Sequence, residues 1–136
     1  MSDQTRVLIV EDDCLLREEL AAGLAASGFA VSVAADGKAG ARLATEDGPD
    51  LILLDVETPG VDGLRLAQVV RALVPAAGLV MMSGHAYLRT AARDLLGDIE
   101  ILAKPFALDD LLARFAQKRS QSAAETPISR GMSSPA

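Results

Sequence analysis

LILLDVETPGVDG, residues 51–63, runs from four consecutive aliphatic residues straight into a carboxylate and then into a loop. A strand with one face in water alternates apolar and polar side chains. Leu51 to Leu54 do not alternate, so they read as a central strand of a parallel sheet covered on both faces. Gly48 and Pro49 break the chain before it, and Pro59, Gly60 and Gly63 punctuate the loop after it. Asp55 is thereby placed where a buried strand surfaces.

The same module recurs outward in both directions. Towards the start, RVLIV (Arg6 to Val10) reads as a buried strand, and Leu15 to Ser27 as a helix with Leu15, Leu16, Leu20 and Leu24 at helical spacing before Gly28. Phe29 to Ala34 is the next strand and Gly37 to Thr45 a short Ala-rich helix. Towards the end, the pattern predicts a helix from about Leu64 to Leu73, a turn at Pro75 to Gly78 and a strand over Leu79 to Met82. A helix over Tyr87 to Leu96, stopped by Gly97, precedes a short strand over Glu100 to Leu102. Leu108 to Lys118 makes a last helix with Asp109 and Asp110 in its first turn. Five strand–helix units imply a parallel sheet with helices on both faces. Leu111, Leu112 and Phe115 suit either core or an interface, with core the default.

Ligands of such sheets bind beyond the carboxyl ends of the strands, where strand order reverses. The polar residues fit that rule. Glu11, Asp12 and Asp13 follow the first strand, Asp55 the third, Ser83 the fourth and Lys104 the fifth. Converging carboxylates repel one another unless a hard cation neutralises them, and oxygen ligands of this kind suit magnesium. A neighbouring ammonium relieves the same repulsion, and a hydroxyl offers a donor to a phosphoryl oxygen. Carboxylate, cation and lysine together make a site for phosphoryl transfer. Any one of these residues alone is an ordinary solvated loop residue; their joint placement at four strand ends carries the reading.

Composition narrows the alternatives. The 136 residues carry 13 basic and 19 acidic side chains, a net charge of −6, which argues against nonspecific binding to nucleic acid or an anionic membrane. Arg65, Arg71, Arg89, Arg93 and Lys104 form no dense run and read as scattered surface charge. Half of the chain is hydrophobic and almost wholly aliphatic, with no Trp, one Tyr and three Phe. Cys14 is a lone cysteine, expected to be a small filler near the first helix rather than a redox sensor. The start shows no secretory pattern and no stretch is long enough to span a bilayer, so the expectation is a soluble protein of the cytoplasm, with no membrane insertion. Residues 4–119 are expected to form one domain and residues 120–136, rich in Ser, Ala and Pro, a flexible tail with no effector domain beyond it.

VLIVEDD near the start, LILLDVETPGVDG in the centre, MMSGH after the fourth strand and LAKPF near the end appear in this order and spacing. Together they resemble the receiver domain of bacterial two-component response regulators, of the single-domain chemotaxis-regulator type, over roughly Arg6 to Lys118. The resemblance implies a flavodoxin-like (βα)5 three-layer α/β sandwich with sheet order 2-1-3-4-5. It implies that Asp55 accepts a phosphoryl group, from a sensor histidine kinase or a histidine phosphotransfer protein. Magnesium is implied as cofactor, held by Asp12 and Asp55 directly, by the main-chain carbonyl of Glu57, and by Glu11 mostly through water. Ser83 resembles the switch hydroxyl and Lys104 the lysine that contacts the phosphoryl group, with Lys104–Pro105 cis. Asp13 is left as an auxiliary acid or the first residue of the following helix. The implied outcome is a switch that catalyses only its own modification and its own dephosphorylation. Ser83 and the fourth strand are expected to shift, altering a face made by the last two helices and the fifth strand that binds a downstream protein, with the last two helices also open to forming a homodimer.

The sequence departs from that family at several points. Ile101 stands where Tyr or Phe is usual three residues before the lysine, and Thr58 where Met is common. The stretch from Ser83 to Lys104 is about one residue tighter, which predicts a shorter or bent fourth helix. Glu57 and His85, two residues beyond Asp55 and Ser83, are expected to tune the lifetime of the acyl phosphate, by charge repulsion and by hydrogen bonding respectively. His85 as an exposed loop residue is the plain alternative. At the level of function the alternative is a constitutive protein-interaction module, with the surface around Ile101 holding a partner without phosphorylation.

Overall fold

A computed structural model describes residues 4–57 and 62–119. Residues 1–3, 58–61 (Thr58, Pro59 and Gly60 among them) and 120–136 lie outside the described residues. The elements alternate: β1 (Arg6–Val10), α1 (Cys14–Ala26), β2 (Ala30–Ala34), α2 (Gly37–Asp47), β3 (Leu51–Asp55), α3 (Gly63–Leu73), β4 (Gly78–Ser83), α4 (Ala86–Leu96) and β5 (Glu100–Ala103). A last helix, α5, occupies residues 108–119. The strands form one parallel sheet in the order β2-β1-β3-β4-β5. The flavodoxin-like order expected from the resemblance is thus the observed one.

Continuous aliphatic strands feed two cores because successive side chains point to opposite faces. Leu8, Val10, Ile52, Leu54, Met81 and Ile101 point to one face and pack with Leu66, Ala67 and Val70 of α3. Val7, Ile9, Leu51, Leu53, Val80, Met82 and Leu102 point to the other, against Leu20 and Leu24 of α1 and Leu111 and Phe115 of α5. Leu111 and Phe115 are therefore core residues, and Leu112 packs partly buried beside them. Each fully buried aliphatic side chain contributes about 1.5–3 kcal/mol of transfer free energy, so both helical layers are needed to hold the sheet.

Local chemistry sets the element ends. Asp13, Asp36 and Asp62 cap α1, α2 and α3, each carboxylate accepting from main-chain N–H groups of the first turn. Asp13 is thus a helix cap. Gly48 ends α2 with φ of 59°, a left-handed conformation that favours glycine. At Gly63 a Cβ would lie 1.9 Å from the Val56 carbonyl oxygen, so only glycine lets α3 begin against the end of β3. The Lys104–Pro105 peptide bond is cis, as expected.

One expectation needs correction. Cys14 fills no gap: it is exposed, and its Sγ donates to Glu18 Oε2 at 3.4 Å one turn along the surface of α1. α4 spans 11 residues, the same length as α2 and α3. Ile101 is 6% exposed, opposite Met81 in the ladder and within the core, so it fills a cavity and offers a partner no surface of its own.

Candidate functional site

β1 lies between β2 and β3, so the chain reverses its direction of travel across the sheet at the carboxyl ends of β1 and β3. The register brings the polar residues to that edge. Val10 pairs with Leu54, which puts Glu11 level with Asp55, and Ser83 pairs with Ala103, one residue before Lys104. Glu11, Asp55 and Ser83 are all buried, whereas Asp12 is exposed.

Lys104 is the hub of the inner part. Its Nζ lies 3.1 Å from Asp55 Oδ2 and 3.0 Å from Glu11 Oε1. Asp55 Oδ1 accepts from the main-chain N–H of Glu57 at 3.0 Å, and Glu11 Oε2 from that of Asp13 at 3.0 Å. The contact to Glu11 Oε1 is close but off the line of a hydrogen bond, which leaves that buried oxygen without an aligned donor among the described residues. Burial pushes the Glu11 carboxyl up to about 7, against the Asp13 N–H and Lys104, which pull it down; the Asp55 charge adds to the rise. For Lys104, burial pulls the ammonium down, but its close contacts with and attraction to Glu11 and Asp55 outweigh that and hold it above 10.5.

One carboxylate oxygen from each of Glu11, Asp12 and Asp55 falls within 4.8 Å of the others. Three hard oxygen donors this close together, from Glu11, Asp12 and Asp55, fit a small divalent cation such as magnesium. Arg17 braces the loop that carries two of them, its Nη1 donating to the carbonyls of Glu11 at 3.1 Å and Asp12 at 3.4 Å.

The outer part is built on the turn after β4. Ser83 Oγ donates to Glu57 Oε2 at 2.9 Å, and the Gly84 N–H donates to the same oxygen at 3.2 Å. His85 Nε2 lies 3.5 Å from Glu57 Oε1, and the His85 N–H donates to Ser83 Oγ at 3.0 Å. The Ser83 carbonyl accepts from the Lys104 N–H at 2.9 Å and from Arg89 Nη1 at 3.1 Å. Glu57 and His85, expected to act separately, meet each other. Sequence reasoning missed Arg89 and the Gly84 N–H; an arginine six residues past a carbonyl carries no signal until the turn between them is known.

A doubly wound α/β domain of flavodoxin-like topology, with an acidic pocket at its switch point able to take a divalent cation, is the class that fold and site define. Residues 7–116 match the family described as the response regulator receiver domain, and the chain belongs to that family. It is 36% identical over 111 residues to the response regulator MprA of Mycolicibacterium vanbaalenii, an alignment covering 80% of this chain and 48% of MprA. It is 39% identical over 117 residues to the transcriptional regulatory protein CseB of Streptomyces coelicolor, covering 84% and 49% respectively. The chain thus spans about half the length of these curated relatives. Among solved structures, a CheY-like response regulator receiver domain protein from Methanospirillum hungatei superposes with a TM-score of 0.84 at 26% identity, over 90% of this chain and 99% of that one. No helix among the described residues is long and apolar enough to cross a membrane.

Proposed function

We propose that Asp55 is the phosphoacceptor of a signalling switch, charged by a phosphohistidine on a sensor kinase or phosphotransfer protein. The observation that carries the reading is the setting of the Asp55 carboxylate: buried at a strand end, one oxygen on Lys104 Nζ and the other on the Glu57 N–H, beside Glu11 and Asp12. An oxygen of Asp55 attacks phosphorus, forming a P–O bond as the N–P bond of the donor breaks. The donor imidazole leaves with the bonding pair and takes up a proton. Lys104 offsets negative charge on the transferring group, and the Ser83 hydroxyl is the donor that the product phosphoryl oxygen recruits. Asp12, Asp55, the Glu57 carbonyl and, more remotely, Glu11 would hold magnesium, which when bound supplies positive charge to the phosphoryl oxygens. The acyl phosphate adds roughly one to two negative charges, enough to reorganise the turn after β4 and, through it, a face on α4, β5 and α5 for a downstream protein or a second copy. Residues 4–119 are the unit that performs this.

Intact mass after incubation with acetyl phosphate and magnesium tests the reading. The expected result is one phosphoryl adduct that decays on standing and is absent from Asp55→Asn. A folded, magnesium-binding protein that takes no adduct from acetyl phosphate or any phosphohistidine donor overturns it in favour of a constitutive interaction module.

A further inference from the structure

Two donors from the turn after β4 converge on a single anionic oxygen. Ser83 Oγ and the Gly84 N–H both point to Glu57 Oε2, at 2.9 and 3.2 Å, while His85 Nε2 stands 3.5 Å from the other oxygen. A hydroxyl and a main-chain N–H meeting on one oxygen make a small oxyanion site. The same residue reaches Asp55, since the Glu57 N–H donates to Asp55 Oδ1 at 3.0 Å. The carboxylate in the oxyanion site is therefore tethered two residues from the proposed phosphoacceptor.

We propose that the Glu57 carboxylate is an internal competitor for the phosphoryl group: in the unmodified protein it occupies the Ser83 hydroxyl and Gly84 N–H, and it must be expelled before they can take a phosphoryl oxygen. This rests on the reading of Asp55 as phosphoacceptor. Two anions cannot share one oxygen site, so the product state is reached only while Glu57 is out. Its formation is slowed by the fraction of time the site stands open. His85 supports the closed arrangement. Its side chain is half exposed and its ring lies 5.4 Å from that of Tyr87, so it steadies Glu57 from the solvent side without contributing to the core.

The test compares the parent with Glu57→Ala and His85→Ala. Adduct formation from acetyl phosphate and magnesium is timed by intact mass, and hydrogen exchange at the Gly84 amide is followed in the unmodified proteins. Loss of charge-assisted hydrogen bonds predicts that Glu57→Ala accelerates both roughly tenfold. His85→Ala, which keeps the Glu57 charge, accelerates both about two- to threefold. If Glu57 only repels incoming anions, His85→Ala forms adduct no faster and Gly84 exchange is unchanged in both variants; that result overturns the proposal. Accelerated exchange at Gly84 with no adduct on any of the three proteins overturns the phosphoacceptor reading and the competition with it, leaving Glu57 as a static clasp.

Discussion

Each half of the site holds carboxylate, but under opposite conditions and with different partners. Around Lys104, the side chains of Glu11 and Asp55 are 1% and 3% exposed at the ends of central strands. Around Ser83, those of Glu57 and His85 are 34% and 52% exposed beside a turn. In the inner half charge meets charge where water is scarce, so removing a partner leaves a buried ion uncompensated. In the outer half a carboxylate is held by a hydroxyl, an N–H and an imidazole that water can replace at little cost. Stability and charge balance therefore depend on the inner half, and the outer half is free to vary in the service of control. Glu57 joins them, its main chain on Asp55 and its side chain on Ser83.

Lys104→Met is the hardest blow to that division. It is expected to slow adduct formation from acetyl phosphate by about 100-fold. It should also lower stability near neutral pH by about 2 kcal/mol, because two buried carboxylates lose their counter-charge. Intact mass and urea unfolding read the two effects, and a variant as stable as the parent would show that the inner ion pairs contribute nothing net.

Glu11 sets the pH dependence of the metal-free protein. Its folded-state value of about 7 lies above the ordinary 4.5, so the folded state holds the proton more tightly between them. Stability is expected to fall as pH rises from 4.5 to 7 and then level off, once other groups are subtracted by comparison with Glu11→Gln. Urea midpoints across that range with a chelator present check this; a parent and a Gln variant with parallel profiles would contradict it. Magnesium, by favouring the carboxylate, should release a proton below pH 7, measurable by titrating in two buffers of different ionisation enthalpy. Lys104 has the same sign in a higher window: held above 10.5, it contributes stability below that pH and loses it on the alkaline side.

Smaller effects belong to the rim. Arg89→Ala removes one of two donors to the Ser83 carbonyl and should cost about 1 kcal/mol or less. Tyr87→Ala, at a side chain mostly in solvent, should stay within about 0.5 kcal/mol. A loss of several kcal/mol at either position would erase the distinction between the halves.

The inner half was legible in the sequence because a parallel sheet delivers residues to its edge by strand register alone. Once Leu51 to Leu54 is a buried strand, Asp55 must surface beside whatever follows β1, and that is Glu11 and Asp12. The outer half was not legible to the same degree. Ser83 was located by the end of β4, but the meeting of Glu57 with Ser83, Gly84 and His85 depends on turn torsions that leave no periodicity behind. The same applies to Asp13, whose capping role follows from where α1 begins, and to Cys14, whose exposure depends on which face of that helix turns outward. Ile101 was placed in the right strand, and its burial follows from the alternation that points it the same way as Met81.

Tyr87 has an optical consequence. The chain contains one tyrosine and no tryptophan, and that ring lies 5.4 Å from the His85 imidazole, itself against Glu57. Tyrosine emission from the unlabelled protein thus arises from a single point at the rim of the site, so a rearrangement of the Glu57–His85 pair that changes the surroundings of that ring is readable without an added dye.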